Sequence, residues 1–292
     1  MGNGYAPLLL SRSFAARLLR TYEYPDPRRP GKVIRGYDRA HALRTARLCG
    51  AVALSLGYGV TIVRQYQIAC LLHDLGRAGL DRRLFGRLWS WAQRRGIPTR
   101  PREWRARYPR TAYGSETEAF IARFGREIER DGMAMDVWAR EQIEMRLGYA
   151  RRLARRLRAV KPSLVRLGVR WEPWMQRVML YYYYPERLND APRWVKQLAE
   201  VLVACEQFEA YSNRERGRDY YGRRSESLEE AFRYLDRLEA EGILSAPVLS
   251  ALKQLAAAGV FDDLLASARG TGLTLRERRF MRRFAQEVSA CP

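Results

Sequence analysis

Two histidines make up the whole histidine content of this 292-residue chain, and both stand where they could do chemistry. His73 and Asp74 close the apolar run Gln67-Ile-Ala-Cys-Leu-Leu-His-Asp-Leu-Gly-Arg77. An imidazole nitrogen and a carboxylate are both ligands for a divalent metal. The other histidine, His41, lies in Tyr37-Asp-Arg-Ala-His-Ala-Leu-Arg-Thr-Ala. That stretch opens a helical pattern just upstream.

The elements that would position these side chains can be read from periodicity. Asp38 is the expected N-cap of a helix over 39–56. Leu48, Val52 and Leu56 step along it at i,i+4, and the same stripe runs back through Thr45 to His41, which predicts a buried His41. Gly57 stops this helix. A second helix over 61–73 is nearly apolar towards its end and delivers His73 and Asp74 at its C-terminus. Gly76 and Gly79 loosen the chain after it.

Lys and Arg number 53 against 32 Asp and Glu, a net charge of +21, with a pI near 10.4. Such a surface attracts polyanions, whether nucleic acid, nucleotides, anionic head groups or an acidic protein partner; arginine spread along the whole chain is the blander account. The cysteines, Cys49, Cys70, Cys205 and Cys291, show no paired-ligand spacing, which fits a reduced cytoplasmic protein. No apolar stretch is long enough for a transmembrane segment. Residues 81–110 interleave arginine with tryptophan, a composition that can grip single-stranded nucleic acid. The preferred reading there is a short helix and a surface loop whose tryptophans pin it to the core.

Further helices are expected over 13–22, 115–132, 134–159, 173–184, 194–213 and 227–241, with two or three short ones over about 246–258, 260–268 and 274–289. Prolines 25, 27 and 30 make an extended connector, and Pro162 begins a new segment. Tyr181 to Tyr184 should cover every face of the helix that holds them, with one or two rings inward. Ser227-Leu-Glu-Glu230 reads as a capping box. No period-two strand and no repeat is legible, so the expected class is all-α.

With these segments in place, the chain resembles the HD superfamily of metal-dependent phosphohydrolases, and most closely its HD-GYP branch. The resemblance rests on His41, on the His73-Asp74 pair, and on Val201-Leu-Val-Ala-Cys205-Glu-Gln-Phe-Glu-Ala-Tyr-Ser, which is similar to the branch's ADxFDALTS helix. Asp219-Tyr-Tyr-Gly-Arg-Arg-Ser-Glu-Ser-Leu-Glu-Glu-Ala-Phe is similar to the continuation RPYRxALSxEEAL. It implies an HD-domain-like helical bundle over 36–260, with an enlarged helical insertion at about 81–160, an N-terminal extension over 1–35 and C-terminal helices over 261–292. The implied metal ligands are His41, His73, Asp74 and Glu206, for one divalent ion such as Mn, Fe, Zn, Co or Ni. Asp74 would also partner the attacking water, and Arg77 would steady the phosphate.

Three departures qualify this. Glu206 stands where the family has aspartate. Arg77 replaces the lysine of HDxGK, keeping the cation but with a planar donor set. The extra histidines of the GYP half would fall near Lys161 and at 182–187, where there are none, so a reduced, mononuclear site is expected. The resemblance therefore implies a phosphohydrolase acting on a nucleotide or other phosphate ester. The alternative is a catalytically degenerate relative that binds a cyclic dinucleotide, RNA or an acidic partner without turnover; a metal oxygenase is a third reading.

Overall fold

The two helices that carry the histidines lie at the centre of the fold, and the rest of the chain packs around them. The protein is described by a computed structural model over residues 6–35, 39–212 and 227–290; the Asp38 cap, the 219–226 part of the downstream motif and Cys291 lie outside the described residues. Helix α1 (Arg12–Leu19) starts at Ser11, whose hydroxyl accepts the Phe14 N–H at 3.2 Å. The proline-rich connector then doubles back on itself. It forms a two-residue antiparallel pair, β1 (Tyr24–Pro25) with β2 (Val33–Ile34), where no strand was expected. Such a short pair has no periodicity to read, and its proline is tolerated at a sheet edge.

Helix α2 (Arg39–Ser55) and helix α3 (Val60–Leu72) follow. They meet closely because Gly50 has no side chain: a Cβ there would overlap the Gln67 amide. That amide is fully buried and satisfied, donating to Ala46 O at 3.1 Å and Pro7 O at 2.9 Å while its oxygen accepts the Leu9 N–H at 2.8 Å. Gln67 thus ties α2, α3 and the chain's start together with buried polar bonds that are costly to leave unmade.

Helices α4 (Arg82–Arg94), α5 (Pro101–Arg107), α6 (Glu116–Arg130) and α7 (Val137–Leu147) enclose a second, smaller apolar core. Asp81 caps α4 by accepting the Leu84 N–H at 3.1 Å. Trp89, Trp91 and Trp104 are all buried in this core. The rings are therefore packing residues, and none of the three is on offer to stack a base. The segment holds two helices where one and a loop were expected.

The helix expected over 134–159 is broken at Gly148, which separates α7 from α8 (Tyr149–Arg166). Pro162 does not start a new segment but lies inside α8. It removes the hydrogen bond to the Arg158 carbonyl, and Arg158 is exposed, so water can take that place. Helix α9 (Pro173–Leu180) ends before the tyrosine run, so the four rings do not share one helix. Tyr181 and Tyr184 turn into the core, and Tyr182 and Tyr183 are only partly buried.

Helix α10 (Arg193–Ser212) packs across α2 and α9. Helix α11 (Leu228–Ala240) opens with the expected capping box, in which the Glu230 N–H donates to the Ser227 hydroxyl at 3.3 Å and the Ser227 N–H to the Glu230 carboxylate at 2.9 Å. Helices α12 (Ala246–Ala257), α13 (Asp262–Arg269) and α14 (Leu275–Ala290) finish the chain. The main core joins α1 to α3 with α8 to α14. The protein is predominantly helical, as expected, and no helix among the described residues is long and apolar enough to cross a membrane.

Candidate metal centre

His41 sits in the first turn of α2, fully buried, and His73 caps the C-terminus of α3, nearly so. The close α2–α3 contact brings their Nε2 atoms to 3.2 Å. The Asp74 carboxylate stands 4.0 Å from His41 Nε2 and 3.8 Å from His73 Nε2. From α10, the Glu206 carboxylate completes a second three-donor set with the same pair, its ligand atoms all within 4.8 Å of one another. All four residues singled out as ligands are thus brought to one place.

The other nitrogen of each ring decides what these atoms can do. His73 Nδ1 lies 2.6 Å from the Cys70 carbonyl oxygen, and His41 Nδ1 makes a short hydrogen bond with the Glu209 carboxylate. A carbonyl and a carboxylate only accept, so both Nδ1 atoms must carry the proton. Both Nε2 lone pairs therefore face each other, with Asp74 beside them. Three acceptors converging in a buried space repel unless a cation lies among them. Burial pushes the His73 imidazole below its ordinary value; the Asp74 carboxylate pulls it up, and His41 pushes it down again.

The donor set fits a metal. Donors bound at about 2.1 Å to one ion stand roughly 3.0–4.2 Å apart, from adjacent to opposite positions, and the observed 3.2, 3.8 and 4.0 Å fall in that range. Among the described residues no such group of three gathers elsewhere.

Glu209 is the residue that sequence reading passed over. It is buried, and its second oxygen accepts Arg44 Nε at 2.7 Å. It lies three residues after Glu206, so the two share a face of α10. That spacing was the available signal. Its role is to orient His41 and hold the proton at Nδ1, as carboxylates do behind metal-bound histidines.

The turn after His73 is clamped from α8, within the stretch read as an insertion. The Tyr149 hydroxyl donates to the His73 carbonyl, and its ring lies where a Cβ on Gly76 would come within 2.6 Å. Arg152 is buried. It donates to Gly76 O at 2.7 Å and Ala78 O at 2.9 Å. Arg77 lies beside the site, its Nη1 3.3 Å from the Asp74 carboxylate and its Nη2 donating to the Tyr183 hydroxyl. It lines a narrow chamber together with Arg100, Arg146, Tyr182, Tyr183 and Glu206. Lys161 is exposed on α8.

Comparison with protein-family models, with curated proteins and with solved structures returns no match.

Proposed function

We propose that the protein is an HD-type metal-dependent phosphohydrolase acting on a nucleotide or other phosphate ester, with an HD-like helical bundle around a mononuclear site. The observation that carries this reading is the convergence of two imidazole lone pairs and the Asp74 carboxylate, each ring held in the ligating tautomer from behind. His41, His73, Asp74 and Glu206 would hold the ion. When bound, it supplies Lewis-acid charge to a phosphoryl oxygen and makes water acidic enough to attack. Glu209 and the Cys70 carbonyl keep the imidazoles aimed inward. Arg77, Arg100 and Arg146 give the chamber next to the histidines a surplus of positive charge over Glu206, which suits it to a phosphate oxygen. Burial excludes bulk water from the histidine pair and strengthens these interactions.

A second reading has its own support. Asp74 and Arg77 pair with each other at 3.3 Å, a contact that holds both groups back from a substrate and suits a protein that binds a cyclic dinucleotide, RNA or an acidic partner without turnover. Elemental analysis of the wild type and of the His73→Ala/Asp74→Ala variant separates the cases. Close to one equivalent of a divalent metal, lost in the variant, together with turnover of a chromogenic phosphodiester, supports the hydrolase. Metal without turnover supports the binder. No metal in either protein after reconstitution refutes the metal centre.

A further inference from the structure

Three hollows share a tyrosine wall. Tyr182 and Tyr183 line the space over His73 and Asp74, the arginine chamber, and a larger cleft of about 570 Å³. A cleft of that size holds a small organic ligand and is far larger than a lone phosphate needs. Its outer wall joins two segments distant in sequence, bringing Arg102 from α5 and Arg237 from α11 to the same space. Both side chains are exposed, and among the described residues neither is ion-paired to a carboxylate.

Arg100 lines both the chamber and the cleft. Its guanidinium lies 4.9 Å from the centre of the Tyr182 ring and 3.3 Å from Glu103. The Tyr182 and Tyr234 hydroxyls stand 3.1 Å apart on the same wall. Glu103 and Glu241 also line the cleft and offset part of its charge. What remains is a shared tyrosine wall with guanidinium groups in the chamber and in the cleft. Guanidinium forks match phosphate oxygens in pairs, and the net charge of +21 draws multiply charged anions towards any such surface.

We propose that the cleft is a second anion subsite, so that the ligand carries two phosphate groups held apart by an organic spacer. One phosphate faces Arg77 and the histidines, an orientation that rests on the phosphohydrolase reading, and the other faces Arg102 and Arg237. A short oligonucleotide and a small bisphosphorylated molecule share this chemistry.

The test is calorimetric binding, with no turnover required. Adenosine 5′-monophosphate, adenosine 3′,5′-bisphosphate and a 5′-phosphorylated thymidine tetranucleotide are titrated into the wild type and into Arg102→Ala/Arg237→Ala, two exposed positions where the fold should survive, as circular dichroism will verify. The bisphosphate should bind about tenfold or more tightly than the monophosphate. In the double variant that preference should disappear while the monophosphate affinity stays the same. A tetranucleotide that binds more tightly still supports the subsite with an oligonucleotide as its source; one that binds no better supports it with a small bisphosphate. Equal binding of mono- and bisphosphate to the wild type, an undiminished preference in the variant, or no binding of any probe overturns the proposal. The wild type separates the two readings: if it holds no metal and turns over no chromogenic phosphodiester yet keeps the preference, the hydrolase reading fails and the subsite stands, whereas metal and turnover without any preference leave the hydrolase and overturn the subsite.

Discussion

Glu209→Gln is the substitution that most directly probes the metal centre, because it changes one atom and redirects one proton. In the wild type, the two Glu209 oxygens accept from His41 Nδ1 and Arg44 Nε. An amide has only one oxygen. Arg44 is the stronger, charged donor and should keep it, turning the amide NH2 towards His41 Nδ1. The imidazole then relieves the clash by moving its proton to Nε2, which removes one of the lone pairs facing His73. Losing such a supporting carboxylate weakens metal binding by about 10–100-fold, or roughly 1.4–2.7 kcal/mol. Without metal, the cost to folding should stay near 1–3 kcal/mol, a shift of roughly 2–4 °C in Tm for each kcal/mol. Glu209→Ala instead strands buried Arg44 without its carboxylate and should cost about 3–5 kcal/mol. Competition with a chelator measures the affinity, and NMR of the ring nitrogens reads the tautomer. A Glu209→Gln protein that binds metal as tightly as the wild type, with His41 still protonated at Nδ1, would refute the argument.

Two further outcomes are expected. Arg152→Leu strands the Gly76 and Ala78 carbonyls, at about 1–3 kcal/mol for each acceptor left unpaired; thermal melts should show the loss, and metal affinity should fall with it because the same turn positions His73 and Asp74. Glu144 should make stability depend on pH: burial raises its carboxyl pKa, but Arg155 and Arg151 outweigh that and hold it below the ordinary value of 4.5. A carboxyl whose pKa is lower in the folded chain contributes fully above the unfolded value and loses that contribution as pH falls through the folded one. Glu144→Gln should therefore be less stable than the wild type at pH 7, with the gap closing below pH 4.5 in denaturant titrations; a gap constant over that range contradicts this account.

Sequence alone determined the helical class, the path of α2 and α3, the burial of His41 and the placing of His73 and Asp74 at a helix end. These follow from local periodicity and capping, which depend on residues three or four apart. The Ser227 capping box was legible for the same reason. The tyrosine run, the break at Gly148 and the inward turn of Arg152 were not. They depend on partners far along the chain, such as the Ile243 carbonyl, 62 residues from Tyr181, and the Gly76 carbonyl, 76 residues from Arg152. Glu209 shows the same limit from the other side: its spacing from Glu206 could be read, but only the crossing of α10 over α2 sets one carboxylate towards the lone pairs and the other behind His41. The ligand types were local information, whereas the Glu209 partner of His41, the 3.2 Å approach of the two rings and the cleft that joins α5 to α11 came from long-range packing.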